Sequence, residues 1–394
     1  MKEGGEVDSI LYDLEFAKSD QRLANVFPKA QETFYTGFVN SIGADGVILN
    51  TFDDTGQADG AVYIQFDAID NVEYDSPDLD NMMETIQIAE ADHLITITDQ
   101  IPEFDQTSDL IKQVVEAAFN SREFLVLTRS DLQNYQEGTV AAVRENDFEM
   151  TLVDKFNLMH RVDATIKYTE AEIVEFSGRE LAVESAMWPK IAAQDPESRL
   201  TITDESSFYK VLKTAEKKQT LITINDETKS SNFFVGTVNS VNEEEVLCNL
   251  VDMAGQFGGY SLIRMDTIAS ITLTSDYLQV INAFVQYQKE HQTFVQPVLN
   301  EERLFDATDD LFLAIIKQAE TFSRVLSITL ITGAREMGYI TELGEETFRF
   351  HVIDPDLYVD QTGVEVTIED VDELSFDFLN AVLLENHLRD KGIL

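Results

Sequence analysis

The side chains that most often carry out chemistry are scarce in this sequence, and they are not grouped. Five histidines and one cysteine are spread along 394 residues without zinc-ligand spacing, namely His93, His160, His291, His351, His387 and Cys248. Cys248 alternates with apolar neighbours, which predicts a small buried residue and no nucleophile. No phosphate loop, dinucleotide fingerprint or serine-nucleophile motif occurs. The sequence therefore predicts no catalytic residue, no metal site and no cofactor.

Carboxylates are the one abundant reactive group. Segment 53–60 carries three aspartates and two glycines, a composition that could hold a weakly bound calcium ion. The segment lacks the alternating ligand spacing and the final glutamate of an EF-hand, and segment 252–259 keeps one of the three aspartates. A hairpin turn is the preferred interpretation, with the first aspartate bonding the backbone of its own turn.

The charge balance narrows the choice of partner. The chain has 28 basic and 73 acidic residues and a net charge of −45, and the acids are scattered, which predicts a solvated acidic surface. An acidic face suits a basic protein partner, or it imitates a phosphate surface. Direct nucleic-acid binding is unfavourable, because its affinity comes largely from lysine and arginine. A single cysteine, no apolar signal-peptide core and no apolar run near the roughly 20 residues of a membrane span predict a cytoplasmic protein.

A spacing pattern recurs four times along the chain. Each copy has a glycine followed sixteen residues later by an aspartate, and successive copies are 101, 98 and 102 residues apart. The four pairs are Gly37 and Asp53, Gly138 and Asp154, Gly236 and Asp252, and Gly338 and Asp354. Residues 35–76 align without a gap onto 234–275, and 14 of the 42 pairs are identical, which implies duplication.

The pattern around each pair indicates the fold. Alternating apolar residues predict five short strands, with the glycine where the second strand bends or another backbone approaches closely. Apolar stripes of helical spacing lie before and after each group of strands. We therefore expect an α+β, mainly β, protein of four tandem modules, each a helix, a bent five-stranded barrel and a following helix. The expected boundaries are 8–90, 91–193, 199–295 and 300–394. Extra short strands are predicted at 94–98 and 200–203.

The predicted module resembles the Sm and Sm-like (LSm-type) fold, part of whose pattern is shared by SH3-like barrels. The run from Phe233 through Gly236 to Val238 resembles the first Sm motif, and residues 260–271 resemble the second. The resemblance implies open edges on strands four and five that pair with a neighbouring barrel, because an unpaired edge invites association. Three such junctions fit inside one chain. We therefore expect a curved, ring-like array that is closed by a second chain, as a homodimer, or capped by the terminal helices.

The residues that would bind RNA in the family are mostly missing. Sm proteins contact bases through an Asp/Asn-bearing turn between strands two and three and through an Arg-Gly at the end of strand four. Only Asn146 and Asn242 match the turn ligand, and Arg264 is the single arginine at the four Arg-Gly positions, with no glycine after it. RNA binding therefore does not carry over, and Arg264 with Asn242 forms the residual candidate nucleic-acid site.

These observations favour a non-catalytic interaction or scaffold protein that binds protein or peptide partners at barrel edges and grooves. The alternatives are an Sm-like RNA-associated protein, an enzyme with an unrecognised site between modules, and an acidic mimic of a phosphate surface. We expect the protein partner to be basic, and we expect no measurable binding of RNA or DNA at physiological salt.

Overall fold

The computed structural model describes residues 3–29, 33–98, 100–129, 135–226, 233–308, 310–354 and 357–394. The chain forms two compact units: unit 1 comprises Met1–Ala91 and Thr96–Gln194, and unit 2 comprises Asp92–Ile95 and Asp195–Leu394. The change from unit 1 to unit 2 falls beside Pro196, in a segment whose composition is typical of a linker. The four module boundaries stay predictions.

Unit 1 contains four helices and ten strands among its described residues. The helices are α1 Glu3–Ser19, α2 Pro77–Ala91, α3 Leu110–Ser121 and α4 Arg179–Ile191. The strands are β1 Leu23–Pro28, β2 Tyr35–Ile42, β3 Gly46–Phe52, β4 Ala58–Gln65, β5 Ile69–Glu73, β6 Phe124–Arg129, β7 Gln136–Val143, β8 Asp147–Leu152, β9 Val162–Lys167 and β10 Ala171–Phe176. Short 3-10 helices, Phe66–Ala68 and Tyr168–Glu170, precede β5 and β10.

The strands of unit 1 form one sheet in the order β5-β1-β2-β3-β4-β10-β6-β7-β8-β9. Two sets of five strands share the same internal order, in which the fifth strand of each set lies beside the first. The sets meet where β4 pairs antiparallel with β10, with Ala61 opposite Phe176 and Ile64 opposite Ile173. Strand four of the first set is thus hydrogen-bonded to strand five of the second.

Unit 2 repeats this arrangement with one added strand. Its helices are α5 Phe208–Lys218, α6 Asp276–His291, α7 Leu311–Phe322 and α8 Leu379–Asp390. Its strands are β11 Leu200–Ile202, β12 Ile222–Asp226, β13 Phe233–Val241, β14 Glu245–Val251, β15 Phe257–Arg264, β16 Ile268–Thr274, β17 Val325–Leu330, β18 Arg335–Thr341, β19 Thr347–Val352, β20 Val364–Thr367 and β21 Val371–Phe376. The sheet order over the described residues is β11-β16-β12-β13-β14-β15-β21-β17-β18-β19-β20. The sets join at β15 and β21, where Tyr260 faces Phe376.

The four glycines of the sequence pattern lie on equivalent strands for one steric reason. They are Gly37 in β2, Gly138 in β7, Gly236 in β13 and Gly338 in β18. A Cβ atom at any of them would lie 2.1 to 2.2 Å from a backbone carbonyl oxygen of the next strand. Every other residue type carries a Cβ atom, so only glycine permits this approach of two backbones.

Helices pack against the sheets through the apolar stripes that the sequence predicts. In α3, Leu110, Ile111, Val114, Val115 and Ala118 are all buried in the core of unit 1. In α7 the corresponding five residues, Leu311, Phe312, Ile315, Ile316 and Ala319, are buried as well. The apolar spacing alone therefore located these helices and their inner faces.

The α+β class is confirmed, whereas the finer expectations have mixed outcomes. Both sheets end in open edges over the described residues, so closed barrels are not shown. The strand expected at 200–203 is present as β11, which pairs with β16. The prediction of a strand at 94–98 is wrong. Within unit 2, the side chain of Gln296 accepts from the Ile95 N–H (2.7 Å) and donates to its carbonyl (3.2 Å), replacing a strand partner.

Candidate functional site

The four repeated aspartates hold the turns in which they lie. Each carboxylate accepts a hydrogen bond from a backbone N–H two or four residues ahead. The distances are 2.9 Å from Asp53 to Thr55, 2.8 Å from Asp154 to Phe156, 2.7 Å from Asp252 to Gln256 and 2.9 Å from Asp354 to Tyr358. The repeated Gly–Asp spacing therefore reflects the construction of a strand and its turn.

The 53–60 turn has a further use in unit 1. Asp53 pairs with the guanidinium of Arg179 at 2.5 Å. Asp59 accepts the backbone N–H of Arg179 at 2.9 Å, at the first residue of α4. A carboxylate at a helix N-terminus is favourable because backbone N–H groups and the helix dipole point toward it. The calcium interpretation of this turn is accordingly not needed.

The residual nucleic-acid candidates belong to the joint between the two strand sets of unit 2. Arg264 donates to the carbonyl oxygens of Val371 (2.7 Å) and Ile368 (2.9 Å). Its guanidinium carbon also lies 4.2 Å from the ring centroid of Phe312. The side-chain oxygen of Asn242 accepts the backbone N–H groups of the two residues after Glu243, which closes its turn. Both side chains are therefore engaged within the fold.

The turn acids between strands two and three cap helices of the neighbouring strand set. In unit 1 the Asp45 carboxylate accepts the backbone N–H groups of Leu110 (2.8 Å) and Ile111 (3.0 Å), at the start of α3. In unit 2 Glu245 accepts the N–H of Leu311 at 3.0 Å, at the start of α7. The acids that disfavour RNA at these turns thus stabilise the joints. Sequence reasoning missed this, because each cap crosses about 65 residues.

Unit 1 also contains a buried charge cluster that no motif had indicated. Lys155 is almost fully buried, and its ammonium group lies among three carboxylates. It contacts Glu137 at 2.9 Å, Glu184 at 3.0 Å, and Glu180. We call these four residues the Lys155 cluster. Burial disfavours the charge of Lys155, but the three carboxylates outweigh it and raise the pKa of Lys155.

Glu184 is the member of the Lys155 cluster whose negative charge is most disfavoured by burial. It is fully buried, and the Lys155 ammonium group lies 3.0 Å from its carboxylate as an ion pair. Burial raises the pKa of Glu184 well above its ordinary value, and Lys155 opposes that rise. The three glutamates are close enough to share a metal ion, since their oxygens lie within 4.8 Å of one another. Lys155 already occupies the place of such a cation.

The cleft beside this cluster is the strongest candidate site of unit 1. It has a volume of about 450 Å³ and lies where β4 meets β10. Five carboxylate residues line it, namely Asp54, Asp59, Glu137, Glu175 and Glu180, and we call this cavity the acidic cleft. Aromatic residues Phe34, Tyr35 and Phe52 line it too. A concave site with convergent carboxylates and aromatic faces suits a cationic group.

Two carboxylates of the acidic cleft differ in how far they are engaged. Asp54 is exposed at the mouth of the cleft. Glu175 lies deeper and accepts a hydrogen bond from the Tyr35 hydroxyl at 2.7 Å. Burial raises the pKa of the Glu175 carboxyl, and the bond from Tyr35 partly opposes this. A bound cation would favour the ionised form of Glu175 further.

The lone cysteine is buried, as the sequence predicts. Cys248 is buried in β14, and burial raises the pKa of its thiol to about 12. A thiol with so high a pKa carries almost no thiolate at neutral pH and is a poor nucleophile.

A scan against protein-family models finds no match, and a search of the curated proteins finds no similar sequence. None of the helices in the described ranges is long and apolar enough to cross a membrane.

Proposed function

We propose that this protein is a non-catalytic interaction protein, and that unit 1 binds a basic segment of a protein partner at the acidic cleft. The observation that carries the proposal is the pair Asp54 and Glu175 in one concave site at the β4–β10 joint, whose other three lining carboxylates are engaged by Lys155 or by the start of α4. A lysine or arginine side chain would be attracted by Asp54 and Glu175, while its aliphatic stem packs on Phe34. The net charge of −45 would speed the approach of a basic partner and repel nucleic acids.

We further infer that the chain is a fourfold array of one Sm-like module. The support is the shared strand order of the two sets in each unit, together with the four glycines that face a carbonyl oxygen of the next strand. Nucleic-acid binding by this array is disfavoured, because the described contacts of Arg264 and Asn242 are made within unit 2. The acid-bearing turns serve the joints between strand sets.

The proposal is tested with fluorescent peptides and paired charge variants. The probes are a short lysine- and arginine-containing peptide and the same peptide with glutamines in place of the cations. The cleft variant is Asp54→Asn with Glu175→Gln, in which the glutamine oxygen still accepts the Tyr35 bond. The matched control is Asp70→Asn with Glu116→Gln, which removes the same charge from exposed positions of unit 1 outside the cleft.

We expect the basic peptide to bind the wild type and the glutamine peptide not to bind. The cleft variant should lose at least about tenfold in affinity, because each lost hydrogen bond to a charged group is worth roughly 1.5–3 kcal/mol. The control should lose about twofold or less, through the long-range field alone. Equal losses in the two variants would show that overall charge, and not the acidic cleft, attracts the peptide.

A further inference from the structure

A second cavity, in unit 2, has the opposite charge character. It has a volume of about 370 Å³ and lies between α7, the start of α8 and the loop that follows α6. Its walls combine polar groups with the apolar side chains of Leu299, Ile315, Phe322 and Val382. Phe322, near the end of α7, is 63% exposed. We call this the arginine cavity, because two arginines supply its cationic wall.

The two arginines share one carboxylate at the base of the cavity. Arg303 and Arg324 both pair with Asp377, Arg324 at 2.9 Å. Arg303 also donates to the side-chain oxygen of Gln318 at 2.7 Å, and Arg324 contacts Glu385 at 3.0 Å. A guanidinium group carries more N–H donors than these contacts use. The charged residues lining the cavity are two cations and one anion, an unusual balance in a chain with a net charge of −45.

The fold itself does not require this network. The positions of unit 1 that correspond to Arg324 and Asp377 are Glu123 and Ser177, which make one hydrogen bond of 3.3 Å. The backbone is the same at both places, since Ser177 and Asp377 each have a positive φ, of 55° and 51°. The same strand-to-helix turn is thus built without this arginine pair in unit 1 and with it in unit 2.

We propose that the arginine cavity binds a ligand made of one carboxylate on an apolar body. The guanidinium groups of Arg303 and Arg324 would take the carboxylate, for which their planar fork is suited. The apolar wall around Leu299, Ile315 and Phe322 would bury the body, and the volume is that of an ordinary small-molecule pocket. This ligand chemistry occurs in a free aliphatic acid and in the C-terminal residue of a peptide. The site lies wholly in unit 2 and is independent of the acidic cleft.

Calorimetric titration of the full chain separates the parts of this proposal. The probes are octanoate, octanol and octylammonium, which share the apolar body and differ in charge. We expect octanoate to bind with a dissociation constant of about 1 mM or tighter, the range for about ten non-hydrogen atoms. Octanol and octylammonium should bind at least about tenfold more weakly. An acetylated tripeptide ending in phenylalanine, beside its C-terminal amide, shows whether a peptide terminus or a free acid is preferred.

Two kinds of variant locate the site. Arg303→Met should reduce octanoate affinity at least about tenfold. Gln318→Glu, at an exposed position of α7, gives Arg303 an internal carboxylate and should have the same effect in a folded protein. The control is Arg349→Met, which removes one partly exposed cation of unit 2 outside the cavity. Three results would each overturn the proposal. They are octanoate binding that Gln318→Glu leaves unchanged, octanol binding equal to that of octanoate, and no binding of octanoate or of the tripeptide acid to the wild type.

Discussion

Replacing the Lys155 cluster with apolar residues tests what the buried charges do for the stability of unit 1. In Lys155→Met the ammonium group is lost, and three carboxylates remain together with no cation among them. Breaking a buried ion pair from one side typically costs about 3–5 kcal/mol, because an uncompensated charge stays buried. For a unit of about 190 residues, this corresponds to a fall in Tm of about 6–20 °C.

Unit 2 supplies the residues for the matching triple variant. The positions of unit 2 that correspond to Glu137 and Glu184 are Met337 and Leu384, which pack in one apolar cluster. The variant Glu137→Met, Lys155→Met, Glu184→Leu keeps one cluster carboxylate, that of Glu180, which is partly exposed. This variant should therefore be as stable as the wild type, or more stable by about 1–4 kcal/mol.

The measurement has a built-in probe. The single tryptophan of the chain, Trp188, lies on α4 and packs against Phe124 at 5.2 Å between ring centroids, so its fluorescence reports the unfolding of unit 1. Urea unfolding of the two variants is compared with that of Lys167→Met, an exposed lysine whose loss should change stability by about 1 kcal/mol or less.

Two outcomes would refute the reasoning. A triple variant as unstable as Lys155→Met would show that the charges themselves are required by the fold. A Lys155→Met protein as stable as the wild type would show that Lys155 does not neutralise the cluster. Calcium adds a check, because the three glutamates lie within 4.8 Å of one another. Calcium should stabilise Lys155→Met and leave the wild type unchanged, since the lysine occupies the place of the ion.

Four further predictions follow from single contacts. Burial raises the folded-state pKa of Glu175, so above pH 4.5 the folded protein keeps a proton that the unfolded chain releases. Wild-type stability therefore falls as pH rises from 4.5 to the folded-state pKa. In urea unfolding, Glu175→Gln should be more stable than the wild type above pH 4.5, and this advantage should vanish below pH 4.5. Arg264→Ala should lower the stability of unit 2 by about 2–4 kcal/mol through the loss of two hydrogen bonds and a ring contact. Neither this variant nor the wild type should bind oligo(U) or oligo(A) in fluorescence anisotropy; micromolar binding lost in Arg264→Ala would restore the RNA hypothesis. Gly236→Ala should destabilise or unfold unit 2, because the added Cβ would lie 2.2 Å from a carbonyl oxygen. Gly258→Ala, whose nearest atom would be at an ordinary 3.5 Å, should keep the wild-type circular dichroism spectrum.

Local features of the sequence predicted much of the fold. The apolar stripe from Leu110 to Ala118 predicted α3, because the buried face of a helix shows in the spacing of residues close together in the sequence. The constant distance from Gly37 to Asp53 located a strand and its turn, because both residues act within one hairpin. Such patterns need no knowledge of distant contacts.

The contacts between strand sets could not be predicted in this way. The cap from Asp45 to Leu110 joins residues 65 apart, and any of the 73 acidic residues was as plausible a partner. The Lys155 cluster combines a turn, a strand and two positions of α4 with no common spacing. A signal did exist in the internal repeat: Glu184 corresponds to Leu384, so a charge appears where the other copy has an apolar residue.

Comparing corresponding positions of the two units separates the residues that build the fold from those that serve one unit. The glycines, the turn aspartates and the carboxylate caps of α3 and α7 recur in both units, so these features are structural. The Lys155 cluster, with the acidic cleft beside it, occurs in unit 1, whereas Arg303 and Arg324 pair with Asp377 in unit 2. Buried charges are expensive to keep when apolar residues fit the same fold. The charged residues that line the two cavities also differ, with five carboxylates in unit 1 and two arginines beside Asp377 in unit 2. This difference supports the proposal of two different ligands, a cationic one for unit 1 and a carboxylate for unit 2.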